Sequence, residues 1–149
     1  MKKTKKGEEL TALILEIFRT GGALTSEGDR LVKHLGMTSA RWKVLGAVVL
    51  SGGNITVSRA ASSMGQARQG VQRIADEMAA EGLVYYEENP HHKRAKLIKP
   101  TEKGLALYEQ IDAIQVPWAE KLAEDMTLEE IASAAGVLKK LLNGITAED

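Results

Sequence analysis

The run Arg68-Gln69-Gly70-Val71-Gln72-Arg73 carries two arginines and two glutamines on a segment whose apolar residues, Val71, Ile74 and Met78, recur at steps of three and four. That phase predicts a helix from Ala67 to Glu81 with Arg68, Gln69, Gln72, Arg73 and Asp76 on its outer face. These side chains suit one kind of chemistry. Arginine can donate a fork of hydrogen bonds to guanine and glutamine can pair with adenine, each pair typically worth about 1–3 kcal/mol of base discrimination. Taken alone, the segment reads almost as well as an ordinary solvated helix face.

The neighbouring residues separate the two readings. Strand-like runs at 83–86 and 95–99 flank Glu87-Glu88-Asn89-Pro90-His91-His92-Lys93-Arg94. Asn-Pro opens a turn, so a hairpin is expected with His92, Lys93, Arg94 and Lys96 on its cationic limb. Lysines and an arginine so placed can straddle a phosphate backbone, and an arginine at a hairpin tip suits a narrow minor groove. Arg59 and Gln66, on the amino-terminal side of the polar helix, complete the candidate nucleic-acid-contacting set.

Other chemistries are poorly supported. His91-His92 invites a metal reading, but the only other histidine is His34, far away in sequence, and a tetrahedral site needs three or four ligands. The pair reads better as a solvated turn that gains charge at lower pH. With no cysteine there is no thiol nucleophile, disulfide framework or cysteine-based zinc site or redox sensor. No nucleophile elbow, phosphate loop or paired-carboxylate motif is present, so neither an enzyme nor a cofactor is expected.

The positioning elements follow from local signals. Apolar residues from Leu10 to Leu35 keep one stripe over a first helix of about residues 8–34, with Gly21-Gly22 expected to mark a bend or a close helix contact. Thr38 caps a second helix that stops at Ser51-Gly52-Gly53. Thr56 caps a short third helix, Val57 to Ser63, ended by Met64-Gly65. Gly82 ends the polar helix. A fifth helix begins at Pro100-Thr101 and kinks or restarts at Pro117. The last helix opens on a Thr127/Glu130 capping box and is expected to stop at Gly144. Two helices joined by so short a glycine turn cross steeply, as in a helix-turn-helix.

Charge is segregated although its sum is zero. From Arg30 to Ala75 there is no acid, against Arg30, Lys33, Arg41, Lys43, Arg59, Arg68 and Arg73. Residues 89–104 add Lys93, Arg94, Lys96, Lys99 and Lys103 against Glu102 alone. From Ala119 onward Glu120, Glu124, Asp125, Glu129, Glu130, Glu148 and Asp149 outnumber Lys121, Lys139 and Lys140. A basic middle steers polyanions. The hydrophobic fraction of 44% is globular, and neither a signal peptide nor a membrane span is visible, so a cytoplasmic protein without a membrane partner is expected.

Over almost its full length the chain resembles a MarR-family transcriptional regulator. The resemblance rests on Gly36 to Leu45, on Ala67 to Arg73 with Glu81-Gly82-Leu83-Val84, and on Asn89 to Gly104. The family's wing usually reads Asp-Pro-x-Asp-Arg-Arg; here Asn89 and His92 replace the aspartates and Lys93 the first arginine, a more cationic wing, while Arg94 matches. The fold implied is mostly α with a small β-wing. One subunit, 1–149, would carry a winged helix-turn-helix head at 37–100 and dimerisation helices at 8–35 and 101–145. The function implied is a homodimeric repressor that binds a palindromic operator in double-stranded DNA and is released by a small-molecule effector. The alternative from another class is a winged-helix module whose basic head docks on an acidic protein.

Overall fold

The computed structural model describes residues 1–147, so Glu148 and Asp149, counted above in the acidic end, lie outside the described residues. The chain divides into two compact units, one from Met1 to Ile111 and one from Asp112 onward. Its elements are α1 (Lys5–Val32), a 3₁₀ turn (Lys33–Leu35), α2 (Ser39–Leu50), α3 (Val57–Met64), α4 (Arg68–Ala80), β1 (Val84–Glu87), β2 (Leu97–Pro100), α5 (Glu102–Ala123) and α6 (Leu128–Thr146).

Helix starts are set by threonines in extended backbone. Thr4, Thr38, Thr56 and Thr127 each accept a hydrogen bond from the backbone N–H three residues on, and Thr127 and Glu130 form a reciprocal capping box. Such a cap is typically worth about 1 kcal/mol. Between α3 and α4 the chain reverses at Gly65, whose φ of +62° lies in the left-handed region that a side chain disfavours. The turn is held by the Gln66 N–H donating to the Ala61 carbonyl at 2.9 Å.

The core of the first unit forms around α2, which buries Val44, Leu45 and Val48 completely. Against it pack Ala60 and Ala61 from α3, Val71, Ile74, Ala75 and Met78 from α4, Val84 and Ile98 from the hairpin, and Ile111 from α5. β1 and β2 pair antiparallel, with Val84 opposite Pro100 and Tyr86 opposite Ile98. The Ile98 N–H also donates to the Ile55 carbonyl at 2.8 Å, which ties the hairpin to the loop before α3. Alternation along β1 buries Val84, exposes Tyr85 and half-buries Tyr86, so the phenol of Tyr86 lies on the α4 side.

Several expectations need correction. α1 starts at Lys5 and is continuous through Gly21-Gly22, and no neighbouring atom lies within 4 Å of a Cβ built at either glycine. Among the described residues, the expected close helix contact at these glycines is therefore not made. His34 sits in the 3₁₀ turn, beyond the end of α1. The strands begin and end one or two residues later than their apolar runs suggested. α5 is continuous through Pro117. Gly144 does not end α6, which runs to Thr146, where the hydroxyl donates back to the Leu142 carbonyl at 2.9 Å. One glycine costs a helix only about 1 kcal/mol relative to alanine, too little to stop it without other signals.

Candidate nucleic-acid interface

With Val71, Ile74, Ala75 and Met78 in the core, α4 must turn Arg68, Gln69, Gln72, Arg73, Asp76 and Glu77 to solvent, and all six are exposed. With Val57 they line an open cleft of about 750 Å³. A second cleft, of about 320 Å³, joins elements distant in sequence: Thr56, Val57 and Ser58 at the start of α3, Arg68 and Gln72 on α4, Tyr86 on β1, and Arg94, Ala95 and Lys96 on the wing. The fold thus brings Arg68, Gln72, Arg94 and Lys96 to one concavity. Gln69 and Arg73 share the α4 face.

The remaining candidates stand apart from both clefts. Arg59 is exposed on α3, Gln66 is half-buried in the turn, and His92 and Lys93 are exposed at the wing tip. The wing is built from local turns. The Asn89 side-chain oxygen accepts from the His91 N–H at 3.0 Å, and the His92 N–H donates to the Asn89 carbonyl at 3.2 Å. Asparagine at this position therefore braces the turn itself through an Asx hydrogen bond.

Two of the expected base-reading side chains are already engaged. Arg73 pairs with Glu77 at 3.1 Å, an exposed pair one helical turn apart of the kind that contributes little and exchanges readily. Gln72 is held more firmly. Its Nε2 donates to Asp76 Oδ1 at 2.9 Å and to the Tyr86 hydroxyl at 3.1 Å, while that hydroxyl donates to the same Asp76 oxygen at 2.5 Å. Desolvation of the phenol, and then its hydrogen bond to Asp76, raise Tyr86 well above the ordinary tyrosine range. The Gln72–Asp76 spacing of one helical turn was visible in the sequence; the participation of Tyr86 depended on how β1 docks.

The far end of α4 is fixed as well. Glu81 pairs with Arg41 of α2, whose guanidinium also reaches the Gly36 carbonyl at 3.4 Å. Lys103 Nζ donates to the Glu81 carbonyl at 2.8 Å, and the Thr101 hydroxyl donates to the Gly82 carbonyl at 2.6 Å. A cation at the last carbonyls of a helix is favourably placed against the helix dipole. α4 is thereby anchored to the body of the head at its end and to the wing at its middle.

A helix presented across a glycine turn and flanked by a basic antiparallel hairpin defines a winged helix-turn-helix. The sequence profile of the MarR family matches residues 35–95. The operator-DNA complex of a cysteine-to-serine mutant of E. coli MarR is 27% identical to this chain, covers 87% of it and 95% of the other, and superposes with a TM-score of 0.69. A MarR/EmrR family transcriptional regulator from an Acinetobacter species shares the fold at a TM-score of 0.80 and 20% identity, over 91% of this chain and 95% of the other. An uncharacterised protein of Mycobacterium tuberculosis is 29% identical over 141 residues, 95% of this chain and 97% of its own. Residues 35–95 thus carry the sequence pattern of the MarR family, and the chain is similar in fold to MarR-family winged-helix transcriptional regulators.

Proposed function

We propose that this protein is a repressor that binds a palindromic operator as a homodimer, with α4 in the major groove and the wing on the adjacent backbone and minor groove. The observation that carries the reading is the cleft shared by Arg68 and Gln72 of α4 with Arg94 and Lys96 of the wing. A cleft that joins the polar face of α4 to cations of the wing supports a helix that reads the groove beside side chains that hold the backbone. Gln69, Arg73, Arg59, Gln66, His92 and Lys93 extend that surface.

The dimer is supported by apolar side chains left in water. On α1 Leu10, Leu13, Leu15, Phe18 and Leu24 are exposed. In the second unit Val116, Leu122, Leu128, Ile131, Leu138, Leu142 and Ile145 are exposed as well. Apolar surface on this scale is typical of an interface, and a second copy of this chain is the occupant that pairs two heads for a palindrome. Footprinting on DNA upstream of its own gene tests the reading. The expected result is a protected palindrome whose half-sites lie roughly 34 Å, one helical turn, apart. Uniform protection, or a stable monomer by light scattering at micromolar concentration, would sink it.

A further inference from the structure

Val84 and Ile98 seat the base of the hairpin in the core. The next inward-facing residue of β1 toward the tip is Tyr86, and among the described residues the hydrogen bonds between α4 and the hairpin all meet at its hydroxyl. That hydroxyl donates to Asp76 Oδ1 at 2.5 Å. An ionised carboxylate has no proton to give, so the direction of the bond is fixed, and a charged acceptor makes it one of the stronger kinds. The backbone ties of the hairpin lead elsewhere: the Ile98 N–H donates to the Ile55 carbonyl, before α3, and the Thr101 N–H to the Leu83 carbonyl, beyond α4. Tyr86 also lines the cleft that holds Arg68, Arg94 and Lys96.

We propose that the Tyr86–Asp76 hydrogen bond holds the wing in register with α4, so that both are positioning residues for sequence-specific binding. This rests on the reading of α4 as the groove helix and of the wing as its backbone contact. Binding to an operator needs the base contacts of α4 and the backbone contacts of the wing in one geometry, whereas a random duplex needs only phosphate contacts, which cations make in any register. A loose wing has to be ordered when the operator complex forms, and that cost falls on the operator alone. The tie also accounts for a carboxylate on a face that is to meet phosphates. Asp76 lines the α4 cleft beside Arg68 and Arg73, where an anion by itself opposes every duplex.

The test measures the affinity of the full-length protein for the footprinted operator and for a random duplex of equal length. Tyr86→Phe keeps the ring and removes only the hydroxyl. It should weaken operator binding by about tenfold, the lower end of what one hydrogen bond to a charged group contributes, and leave random-duplex binding within about twofold. Asp76→Ala breaks the same tie, so in that background Tyr86→Phe should leave the ratio of the two affinities unmoved. A ratio that Tyr86→Phe does not change, or changes equally in both backgrounds, overturns the proposal and leaves the repressor reading intact; a wild type with no preference for the operator overturns both. The tie is also tested without DNA. Hydrogen exchange of the wing amides, residues 86–97, should be faster in Tyr86→Phe while the amides of α2 keep their wild-type rates. Unchanged exchange in the wing, or equal acceleration throughout the head, would overturn the proposal.

Discussion

The hydroxyl of Ser39 donates to the Thr25 carbonyl at 2.7 Å, and the space its oxygen fills is the space a side chain on Gly28 would need. Ser39 is buried, and its own N–H donates to Asp29 Oδ1 at 2.6 Å. α1 and α2 thus meet through a serine that fits only against glycine. Gly28→Ala should lower stability by about 1–3 kcal/mol, the scale of overpacking with a disturbed buried hydrogen bond. The usual helix preference for alanine, up to about 1 kcal/mol, opposes it. In a Ser39→Ala background the same change should cost far less, and chemical denaturation of the four proteins measures the coupling. Additive costs would show that the two residues do not oppose each other.

Arg41 and Glu81 stand 40 positions apart in sequence and pair across the base of α4. The Glu81 side chain is half exposed, so the pair is discounted for solvent to about 1 kcal/mol. Arg41→Ala should destabilise the protein by that amount or somewhat more, because the arginine stem also packs and its guanidinium caps the Gly36 carbonyl. A double-mutant cycle with Glu81→Ala, read by urea denaturation, should return a coupling that shrinks in high salt.

Tyr86 gives a pH dependence whose sign is fixed by its raised pKa. The folded state holds the phenol neutral above the unfolded value of 10. Its contribution to stability is therefore complete below about pH 10 and is lost as the pH rises beyond that. Thermal melts of the wild type and Tyr86→Phe should differ by a constant amount from pH 7 to about pH 9, and the difference should shrink toward pH 11. A difference that grows with pH would contradict the hydrogen-bonded phenol.

Arg94 on the wing and Gln69 on α4 should fail differently. Arg94→Ala is expected to weaken binding to all duplexes by a similar factor and to lower the slope of log affinity against log salt by about one. Gln69→Ala should leave that slope alone and relax the preference at one base pair. Anisotropy titrations at several salt concentrations, on operator and random duplex, distinguish the two outcomes.

Much of this arrangement is legible in the sequence because it is local. Thr38, Thr56 and Thr127 announce their helices by capping chemistry, Gly65 and Gly82 mark their turns, and the steps from Val71 to Ile74 to Met78 orient α4. The exposed face of Arg68, Gln69, Gln72 and Arg73 follows from that phase. What depends on tertiary docking is not legible. Nothing local pairs Arg41 with Glu81 or seats Ser39 against Gly28. Gln72 reads as a free groove contact until β1 brings Tyr86 beside it. Gly144 misleads because a weak local signal is overridden by the rest of its helix.

The central claim, that α4 and the wing together recognise a particular duplex, is tested most directly by one titration. Labelled DNA from upstream of the gene, and a scrambled duplex of equal length, are titrated with the wild-type protein by fluorescence anisotropy from about 50 to 200 mM salt. The account predicts binding to both that weakens steeply with salt, with the upstream duplex preferred by about a thousandfold or more near physiological salt. Equal affinity for the two duplexes would contradict it.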